Sequence, residues 1–211
     1  PKTVFSSIDK FGRYAFSNQP PITKWNLARF AECLIPLIHK DENEAIKVAS
    51  EIIDNFQNIY EEKWLNMMRD KLGLFGKDQN DQKLINDLLS WMEINNADYT
   101  NTFCNLMNVN IEGKKIYEDQ KFINWVKIWE KRVLMNNNLK EKSLDLMRNT
   151  NPTVIPRNHK VEEALNAANE DNIEVINKLL NVLSKPYSNQ KNIENYQSLS
   201  TDKEYQTFCG T

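Results

Sequence analysis

Apolar residues recur at intervals of three and four along most of the chain, which is the spacing of one face of an α-helix. The first such segment covers 22–38, and Pro36 near its end predicts a kink or a stop. The second covers 45–72 and predicts one long helix that Gly73 and Gly76 terminate. These two segments alone indicate a chain dominated by helices.

Six further segments carry the same helical period. Their predicted ranges are 78–95, 98–107, 122–133, 139–147, 158–168 and 173–183. Asp98 or Thr100 is expected to cap the second of them and Asn158 the fifth, because short polar side chains accept hydrogen bonds from the free N–H groups at a helix start. Trp125 and Trp129 lie one helical turn apart and are expected in the core.

Segments without a period separate these helices. Residues 1–21 predict an ordered loop or an extended entry, Gly113 predicts a turn, and 136–138 predict a loop. The segment 151–156 is predicted to be extended, because each proline pushes the residue before it out of the α-helical region. From Tyr187 the tail is predicted to be polar and loosely ordered almost to its end. The sequence shows no internal repeat and no break in composition, so one compact unit is expected.

Composition restricts the classes of protein further. Five of the 211 residues are glycine, which supplies few of the positive-φ positions that doubly wound sheets and barrels need, and 40% are hydrophobic, which excludes a broadly disordered chain. The 27 basic and 29 acidic side chains nearly cancel, so no overall positive field attracts nucleic acid or an anionic membrane. The apolar stretch at 22–38 is interrupted by charged residues and cannot span a membrane. We therefore expect neither a nucleic-acid partner nor a membrane partner.

Few side chains form a recognisable chemical motif. The chain has no glycine-rich phosphate loop and no nucleophile elbow. His39 and His159 are expected at the surface or at a helix end, since neither has the neighbouring ligands of a metal site. The acidic cluster 78–81 lacks the glycine and the distal glutamate of a calcium loop and predicts a helix N-cap. Lys114 and Lys115 are balanced by nearby acidic residues and predict a solvated face.

Three cysteines, Cys33, Cys104 and Cys209, are spaced too widely for a zinc knuckle or a Cys-x-x-Cys redox pair. An odd number of widely spaced cysteines indicates free thiols in a reducing compartment. Cys33 and Cys104 fall on predicted helices, so both are expected to be buried and inert.

Several strings are more specific than these patterns. In chain order they include Gly12-Arg13-Tyr14-Ala15-Phe16, Asn18-Gln19-Pro20, Trp25-Asn26-Leu27-Ala28-Arg29, Met68-Arg69-Asp70-Lys71-Leu72-Gly73-Leu74, Ala97-Asp98-Tyr99-Thr100-Asn101-Thr102-Phe103, Pro156-Arg157-Asn158-His159 and Thr207-Phe208-Cys209-Gly210-Thr211. Together they closely resemble the selenoprotein O (SelO) family, and the resemblance spans almost the whole chain.

The resemblance implies a fold and an activity. Members of the SelO family have a protein-kinase-like fold, look like pseudokinases, and transfer AMP from ATP to Ser, Thr or Tyr hydroxyls of other proteins with Mg²⁺ present. By this resemblance, residues 1–21 correspond to the end of an activation segment, 22–150 to a helical C-lobe, and 151–211 to a C-terminal helical extension and tail. The helix at 22–38 resembles the buried organising helix of a kinase C-lobe. The implied fold class is mainly α.

The same resemblance places the catalytic machinery outside this sequence. In the family, the residues that bind phosphate and metal and the catalytic Asp all precede the Gly-Arg-Tyr string, so we expect no catalytic, cofactor-binding or metal-binding residue here. ATP and Mg²⁺ are implied only for the full-length protein, and this chain alone is not expected to bind ATP with Mg²⁺ at millimolar levels. The chain opens with Pro1 and shows no signal peptide, so it is expected either to be cut from a longer protein or to lack its start.

Five residues near the start are candidates for an activation-segment motif: Gly12, Arg13, Tyr14, Asn18 and Gln19. They either order the activation segment through hydrogen bonds or simply cap a loop. The sequence leaves both interpretations open, because asparagine and its neighbours in turns make such bonds in many loops.

Cys209 is a candidate redox residue of the tail. Family members often carry a cysteine in the activation segment that can pair with a cysteine near the C-terminus, and Cys209 matches the tail partner. Phe5 occupies the activation-segment position here, so the resemblance gives Cys209 no matching thiol. The alternative role is a small residue that docks the C-terminus.

The implied partners are the missing nucleotide-binding lobe, in the same or a separate chain, and protein substrates. Phe5, Phe11, Tyr14 and Phe16 cannot all be buried by one loop, so they are expected to leave an apolar surface where the rest of the fold packs. Two other interpretations stay open: a non-catalytic helical scaffold that binds a partner, and a non-functional remnant. The implied location is cytoplasmic for a bacterial protein and mitochondrial for a eukaryotic one.

Overall fold

A computed structural model describes residues 1–4, 6, 8–108, 114–135 and 140–200, with the side chain of residue 114 excepted. Within these residues the regular elements are helices and none is a strand. The α-helices are α1 (Gln19–Ile38), α2 (Glu42–Asp54), α3 (Phe56–Lys71), α4 (Asp81–Ile94), α5 (Tyr99–Leu106), α6 (Gln120–Val133), α7 (Lys140–Thr150), α8 (Asn158–Asn169), α9 (Glu174–Leu183) and α10 (Glu194–Gln197), and short 3-10 helices cover Phe16–Asn18 and Lys114–Glu118. The predicted mainly helical class is confirmed. Assignment of these helices to a kinase-like C-lobe stays a prediction.

The described residues form two compact units. The first begins at Pro1 and ends at Leu65, and the second begins at Asn66, so the boundary falls inside α3. The regions predicted at 1–21, 22–150 and 151–211 follow family boundaries and stay predictions. No described helix combines the length and the apolar composition needed to cross a membrane.

Helix α1 begins three residues earlier than predicted. Pro20 and Pro21 occupy its first turn, where a missing N–H costs no hydrogen bond and the fixed φ favours the helix. Pro36 lies inside the last turn, and the helix ends two residues later. The expectation that this helix is buried is wrong within the first unit, because α1 packs mainly against α2 and the short helix Phe16–Asn18 and none of its residues is buried.

The long helix predicted at 45–72 is two helices. Asn55 separates α2 from α3, and its side-chain oxygen accepts a hydrogen bond from the Asn58 side chain at 3.1 Å. Asparagine has low helix propensity because its side chain competes with the backbone for hydrogen bonds, and such a residue interrupts an apolar period that otherwise continues. Asp41 caps the start of α2 by accepting from the N–H groups of Asn43 and Glu44.

Gly73 ends α3 as predicted. Its φ is +66°, its N–H donates to the Asp70 carbonyl at 3.1 Å, and the Leu74 N–H donates to the Arg69 carbonyl at 2.9 Å. These two bonds form the Schellman arrangement, which satisfies carbonyl groups at a helix end. A Cβ atom on Gly73 would lie 2.6 Å from the backbone oxygen of Ser143, so the glycine also permits the close approach of α7.

The core of the second unit forms where α4 packs against α6. Its buried apolar side chains include Leu84, Ile85, Leu88, Trp91, Met92, Phe122, Trp125, Trp129 and Val133. The indole N–H of Trp125 donates to the Leu84 carbonyl at 2.8 Å, and that of Trp129 donates to the Leu72 carbonyl at 2.8 Å. The predicted core role of both tryptophans is confirmed, because their rings are buried and their polar atoms are satisfied.

The structure confirms one predicted helix cap and corrects another. Asp98 caps α5, as predicted, with its side chain accepting from the Asn101 N–H at 2.8 Å. The prediction that Asn158 caps α8 is wrong by one residue, because Arg157 occupies the cap position and Asn158 is the first helical residue. The segment 151–156, which is predicted to be extended, contains no helix.

The segment 187–200 is more ordered than predicted. Gln197 in α10 is 2% exposed, and its side-chain amide donates to the Thr153 carbonyl at 2.7 Å. The Asn101 side chain donates to the Gln197 carbonyl at 3.1 Å, and Ile193 packs with Val154 and other apolar residues. The sequence did not predict this order because most residues of the segment are polar. Two buried side chains, Ile193 and Gln197, are enough to fix so short a segment. Predictions for Gly113, 136–138 and the tail beyond residue 200 lie outside the described residues.

Candidate functional site

The loop before α1 is organised by a carboxylate that sequence reasoning missed. Asp9 accepts from the backbone N–H of Arg13 at 2.9 Å and from that of Tyr14 at 2.9 Å, one on each carboxylate oxygen. Gly12 has a φ of +66°, which lets the chain turn back toward this carboxylate. The sequence did carry a signal for this role of Asp9, because an aspartate shortly before a glycine is a common arrangement in turns.

Two side-chain amides complete the loop. Asn18 donates to the Gly12 carbonyl at 2.7 Å, and Gln19 donates to the Tyr14 carbonyl at 2.6 Å. The structure therefore brings all five candidate residues into one hydrogen-bonded loop at the start of α1. These hydrogen bonds are consistent with an ordered activation segment, and they are equally consistent with simple capping of a loop.

The guanidinium of Arg13 lies against aromatic rings. Its central carbon is 4.8 Å from the centroid of the Trp25 ring and 5.8 Å from that of Tyr14. A second guanidinium, that of Arg29, lies 5.6 Å from the Trp25 ring and pairs with Glu32. Contacts of this kind hold a flexible cation in place on a surface.

Large apolar side chains around this loop are exposed, as expected. Phe11 is 97% exposed, Tyr14 50% and Phe16 57%. Phe5, the fourth residue of that prediction, lies outside the described residues. Helices α1 and α2 also border an open groove of about 920 Å³, so both the loop and the helix pair leave apolar surface uncovered.

A buried ion cluster joins three segments of the second unit. The Asp81 carboxylate is completely buried and accepts from Arg69 Nε at 2.6 Å and from Arg132 Nε at 2.7 Å. Burial alone would raise the pKa of this carboxyl, but the hydrogen bonds from Arg132 and Arg69 outweigh it and hold the pKa below its usual range. The sequence predicted only a helix N-cap at 78–81, because nothing local to Asp81 reveals partners so distant in the chain.

A second ion pair links α5 to the start of α8. Arg157 donates from its two terminal nitrogens to the two carboxylate oxygens of Asp98 at 3.0 and 2.9 Å. This bidentate geometry is the strong form of the interaction. Arg69, Asp98 and Arg157 all belong to strings that carry the family resemblance, and in this unit they stabilise the fold.

The two described cysteines differ in environment. Cys104 is fully buried, and burial raises the pKa of its thiol to about 11, which agrees with the predicted inert role. The prediction that Cys33 is buried is wrong: it is exposed, because α1 has no covered face at that position. Beside Cys104, burial lowers the pKa of the Lys71 ammonium, which lies 4.7 Å from the Phe103 ring. Cys209 lies outside the described residues.

The histidines lie at helix ends. His39 is exposed and follows α1, and its Nδ1 accepts from the Asp41 N–H at 3.0 Å. His159 lies in the first turn of α8, where burial and the neighbouring Lys160 lower its pKa. Among the described residues no three His, Cys, Asp or Glu side chains are grouped to hold a metal ion.

Comparison with known proteins identifies the family. The model for the family described as Protein adenylyltransferase SelO matches residues 1–184. A protein nucleotidyltransferase YdiU of Pelagibacter ubique (strain HTCC1062) is 56% identical over 213 residues, and proteins of the same description from Clostridium botulinum (strain Hall) and Alkaliphilus metalliredigens (strain QYMF) are 50% and 48% identical over 214 residues.

These alignments cover the whole of this chain and 44% of each relative. The chain therefore spans less than half the length of the curated relatives it matches. A family model that covers most of the chain, together with identities near one half, leaves no competing assignment: the chain belongs to the SelO family.

Proposed function

We propose that this chain is the C-terminal helical part of a protein adenylyltransferase, which transfers AMP from ATP to Ser, Thr or Tyr hydroxyls of proteins. The observation that carries the proposal is the match to the SelO family model over residues 1–184. The Pelagibacter relative, described as a protein nucleotidyltransferase, supports it with 56% identity over the whole chain.

The proposed reaction forms a bond between the acceptor hydroxyl oxygen and the α-phosphorus of ATP. The bond from that phosphorus to the bridging oxygen of the β-phosphate breaks, pyrophosphate leaves, and the hydroxyl proton passes to a base or to solvent. Positioning and charge neutralisation supply most of the catalysis in such reactions. The resemblance places the residues that bind ATP and Mg²⁺ before the Gly-Arg-Tyr string, so we assign this binding to the part of the enzyme that precedes the matched segment.

The loop formed by residues 9–19 is proposed to act as the end of the activation segment. Its support is the set of hydrogen bonds that Asp9 accepts and that Asn18 and Gln19 donate, which fix the backbone on both sides of Arg13. A fixed loop presents its side chains to a substrate or a neighbouring lobe without a further loss of entropy. We propose a cytoplasmic location, as the named relatives are bacterial.

A second candidate function is a non-catalytic scaffold that binds a partner. The exposed side chains of α1 favour it: Phe30 is 61% exposed and Leu37 81%. Apolar surface of this kind marks contact sites in soluble proteins. A scaffold supplies that surface to a partner whether or not the assembly transfers AMP.

The test is a chimera in which this chain replaces the aligned segment of the Pelagibacter relative. Purified chimera, ATP and Mg²⁺ are incubated, and modified Ser, Thr or Tyr residues are located by peptide mass spectrometry. We expect AMP on hydroxyl side chains of the chimera or of added protein acceptors. The control is the relative with its aligned segment deleted. A folded chimera without AMP, beside an active parent, would refute the proposal and favour the scaffold.

A further inference from the structure

Arg13 carries a guanidinium that is held in place against an aromatic ring. Its backbone N–H is held by Asp9, and its side chain rests on the Trp25 ring at 4.8 Å. Among the described residues no carboxylate pairs with this guanidinium. The described part of the chain thus has an oriented cation without a neutralising carboxylate.

The nearby acidic groups are already engaged. Both oxygens of Asp9 accept from backbone N–H groups, one from Arg13 and one from Tyr14, and Glu32 pairs with Arg29. The Asp9 carboxylate therefore organises the backbone and not the Arg13 side chain. Neither Asp9 nor Glu32 occupies the N–H donors of the Arg13 guanidinium, which leaves these donors open to another group.

A stacked guanidinium recognises planar anions well. When its face lies on an aromatic ring, the N–H groups at its edge stay free and point in fixed directions, which match the two oxygens of a carboxylate. Trp25 supplies that ring, and Arg29 places a second cation on the same indole. The ligand that suits this guanidinium is therefore an oxyanion with two oxygens on one central atom.

The surroundings favour an anion that belongs to a polypeptide. Arg13 and Trp25 border a shallow depression of about 230 Å³ that Pro21 and Ile22 also line. The Tyr14 ring beside it is half exposed. An exposed ion pair alone contributes little binding free energy, so a useful site must also cover these apolar atoms. A peptide with an acidic side chain next to an aliphatic one does both.

We propose that Arg13 and Trp25 form a docking site for an acidic segment of a partner polypeptide. The acidic side chain binds the edge of the Arg13 guanidinium, and an adjacent aliphatic side chain covers the depression beside Trp25. The site does not depend on AMP transfer, so failure of the proposed reaction leaves this inference standing and separately testable.

The test is fluorescence anisotropy with the full chain and two labelled peptides. The probe has the sequence Ser-Leu-Glu-Ala-Leu-Glu-Ser, and the matched control replaces both glutamates by glutamine. We expect the acidic peptide to bind about tenfold more tightly, because the control loses a charge-assisted pair of hydrogen bonds. Equal binding of the two peptides, or no saturable binding of either, overturns the proposal.

Variants show whether Arg13 is responsible. Arg13→Lys keeps the charge and the backbone bond to Asp9 but loses the planar fork, so binding of the acidic peptide should weaken about tenfold. Arg148→Lys, on an exposed arginine of the second unit that already pairs with Glu141, should leave binding unchanged. An unchanged dissociation constant for Arg13→Lys contradicts the proposal.

Inorganic phosphate distinguishes a free anion from a peptide. We expect it to displace the acidic peptide only at concentrations far above the peptide dissociation constant, because phosphate covers no apolar surface. Displacement at concentrations close to that constant would make this a phosphate site and overturn the assignment to a polypeptide.

Discussion

Replacing the buried carboxylate of Asp81 by an amide (Asp81→Asn) perturbs the ion cluster that joins three segments of the second unit. In the wild type this carboxylate faces two guanidiniums, with Arg69 Nε at 2.6 Å and Arg132 Nε at 2.7 Å, and it also accepts from the Asp78 N–H at 3.0 Å. An amide keeps one acceptor oxygen and turns the other into an N–H donor. One guanidinium then faces a donor, and both lose their counter-charge.

The expected loss follows from burial. The arginine side chains are 10% and 7% exposed and the aspartate is completely buried, so solvent cannot replace the lost charge. Removing one partner of a buried ion pair typically costs about 3–5 kcal/mol. Arg132 also donates to the carbonyls of Phe75 and Gly76, which keeps part of its hydrogen bonding. We therefore expect a loss near the lower end, about 3 kcal/mol in the free energy of unfolding of this unit.

The assay is urea unfolding followed by tryptophan fluorescence, since Trp91, Trp125 and Trp129 report on the core of this unit. The control is Asp87→Asn on the same helix, whose exposed pair with Lys83 should change stability by less than about 1 kcal/mol. A change below about 1 kcal/mol for Asp81→Asn, equal to the control, would refute the reasoning.

The cluster also predicts a response to acid. The pKa of Asp81 is lower in the folded chain than in the unfolded chain, so its stabilisation is complete above the unfolded value of about 3.9 and is lost as the pH falls through the folded pKa. Stability of the wild type should therefore fall toward low pH more steeply than that of Asp81→Asn. Parallel pH curves for the two proteins, measured by urea unfolding, would contradict this assignment.

Three further predictions concern other parts of the chain. Gly73→Ala should destabilise by several kcal/mol, because its φ is +66° and the new Cβ would lie 2.6 Å from the Ser143 oxygen. Gly12→Ala has the same φ, but its Cβ would meet only ordinary van der Waals neighbours, Val4 at 3.6 Å and Ala15 at 3.7 Å, so it should cost only about 1 kcal/mol by thermal unfolding. Iodoacetamide at neutral pH should label exposed Cys33 and leave buried Cys104 unmodified until urea is added, as peptide mass spectrometry will show. Calorimetry of this chain with ATP and Mg²⁺ should show no saturable site at micromolar affinity, and finding one would contradict the assignment of nucleotide binding to another part of the enzyme.

Local patterns predicted most of the helices. The apolar period gives α4 and α6 to within a few residues, and the core positions of Trp125 and Trp129 follow from their spacing. Gly73 ends α3 as expected, because the chain needs a positive φ at this position and glycine adopts it without the steric cost that a side chain brings. These features depend on neighbours within one or two turns, and the sequence displays those neighbours directly.

Long-range partners could not be predicted in the same way. Asp81 pairs with Arg69 and Arg132, which lie 12 and 51 residues away, and many charged residues were equally available. The break at Asn55 was missed because the apolar period continues across it. Exposure of α1 was missed because an apolar helix indicates burial but does not say which polypeptide covers it.

Of the candidate site, the sequence predicted the residues but not their arrangement. Gly12, Asn18 and Gln19 do share one loop, yet its organising carboxylate, Asp9, lies outside the motif that drew attention. The stacking of Arg13 on Trp25 depends on how the loop meets α1, which no pattern in the sequence encodes. Cys209, the candidate redox residue, stays a prediction.

If this chain completes an enzyme that transfers AMP, the α-phosphorus of ATP becomes bound to protein and the γ-phosphorus does not. The chimera with the Pelagibacter relative is incubated with Mg²⁺ and either α-labelled or γ-labelled ATP, and radioactivity bound to protein is measured after denaturing electrophoresis. We expect label on protein from α-labelled ATP and none from γ-labelled ATP, since the γ-phosphate leaves as part of pyrophosphate. Label from γ-labelled ATP would show phosphoryl transfer and contradict AMP transfer. Absence of label from either nucleotide, when the parent enzyme is active, would contradict it as well.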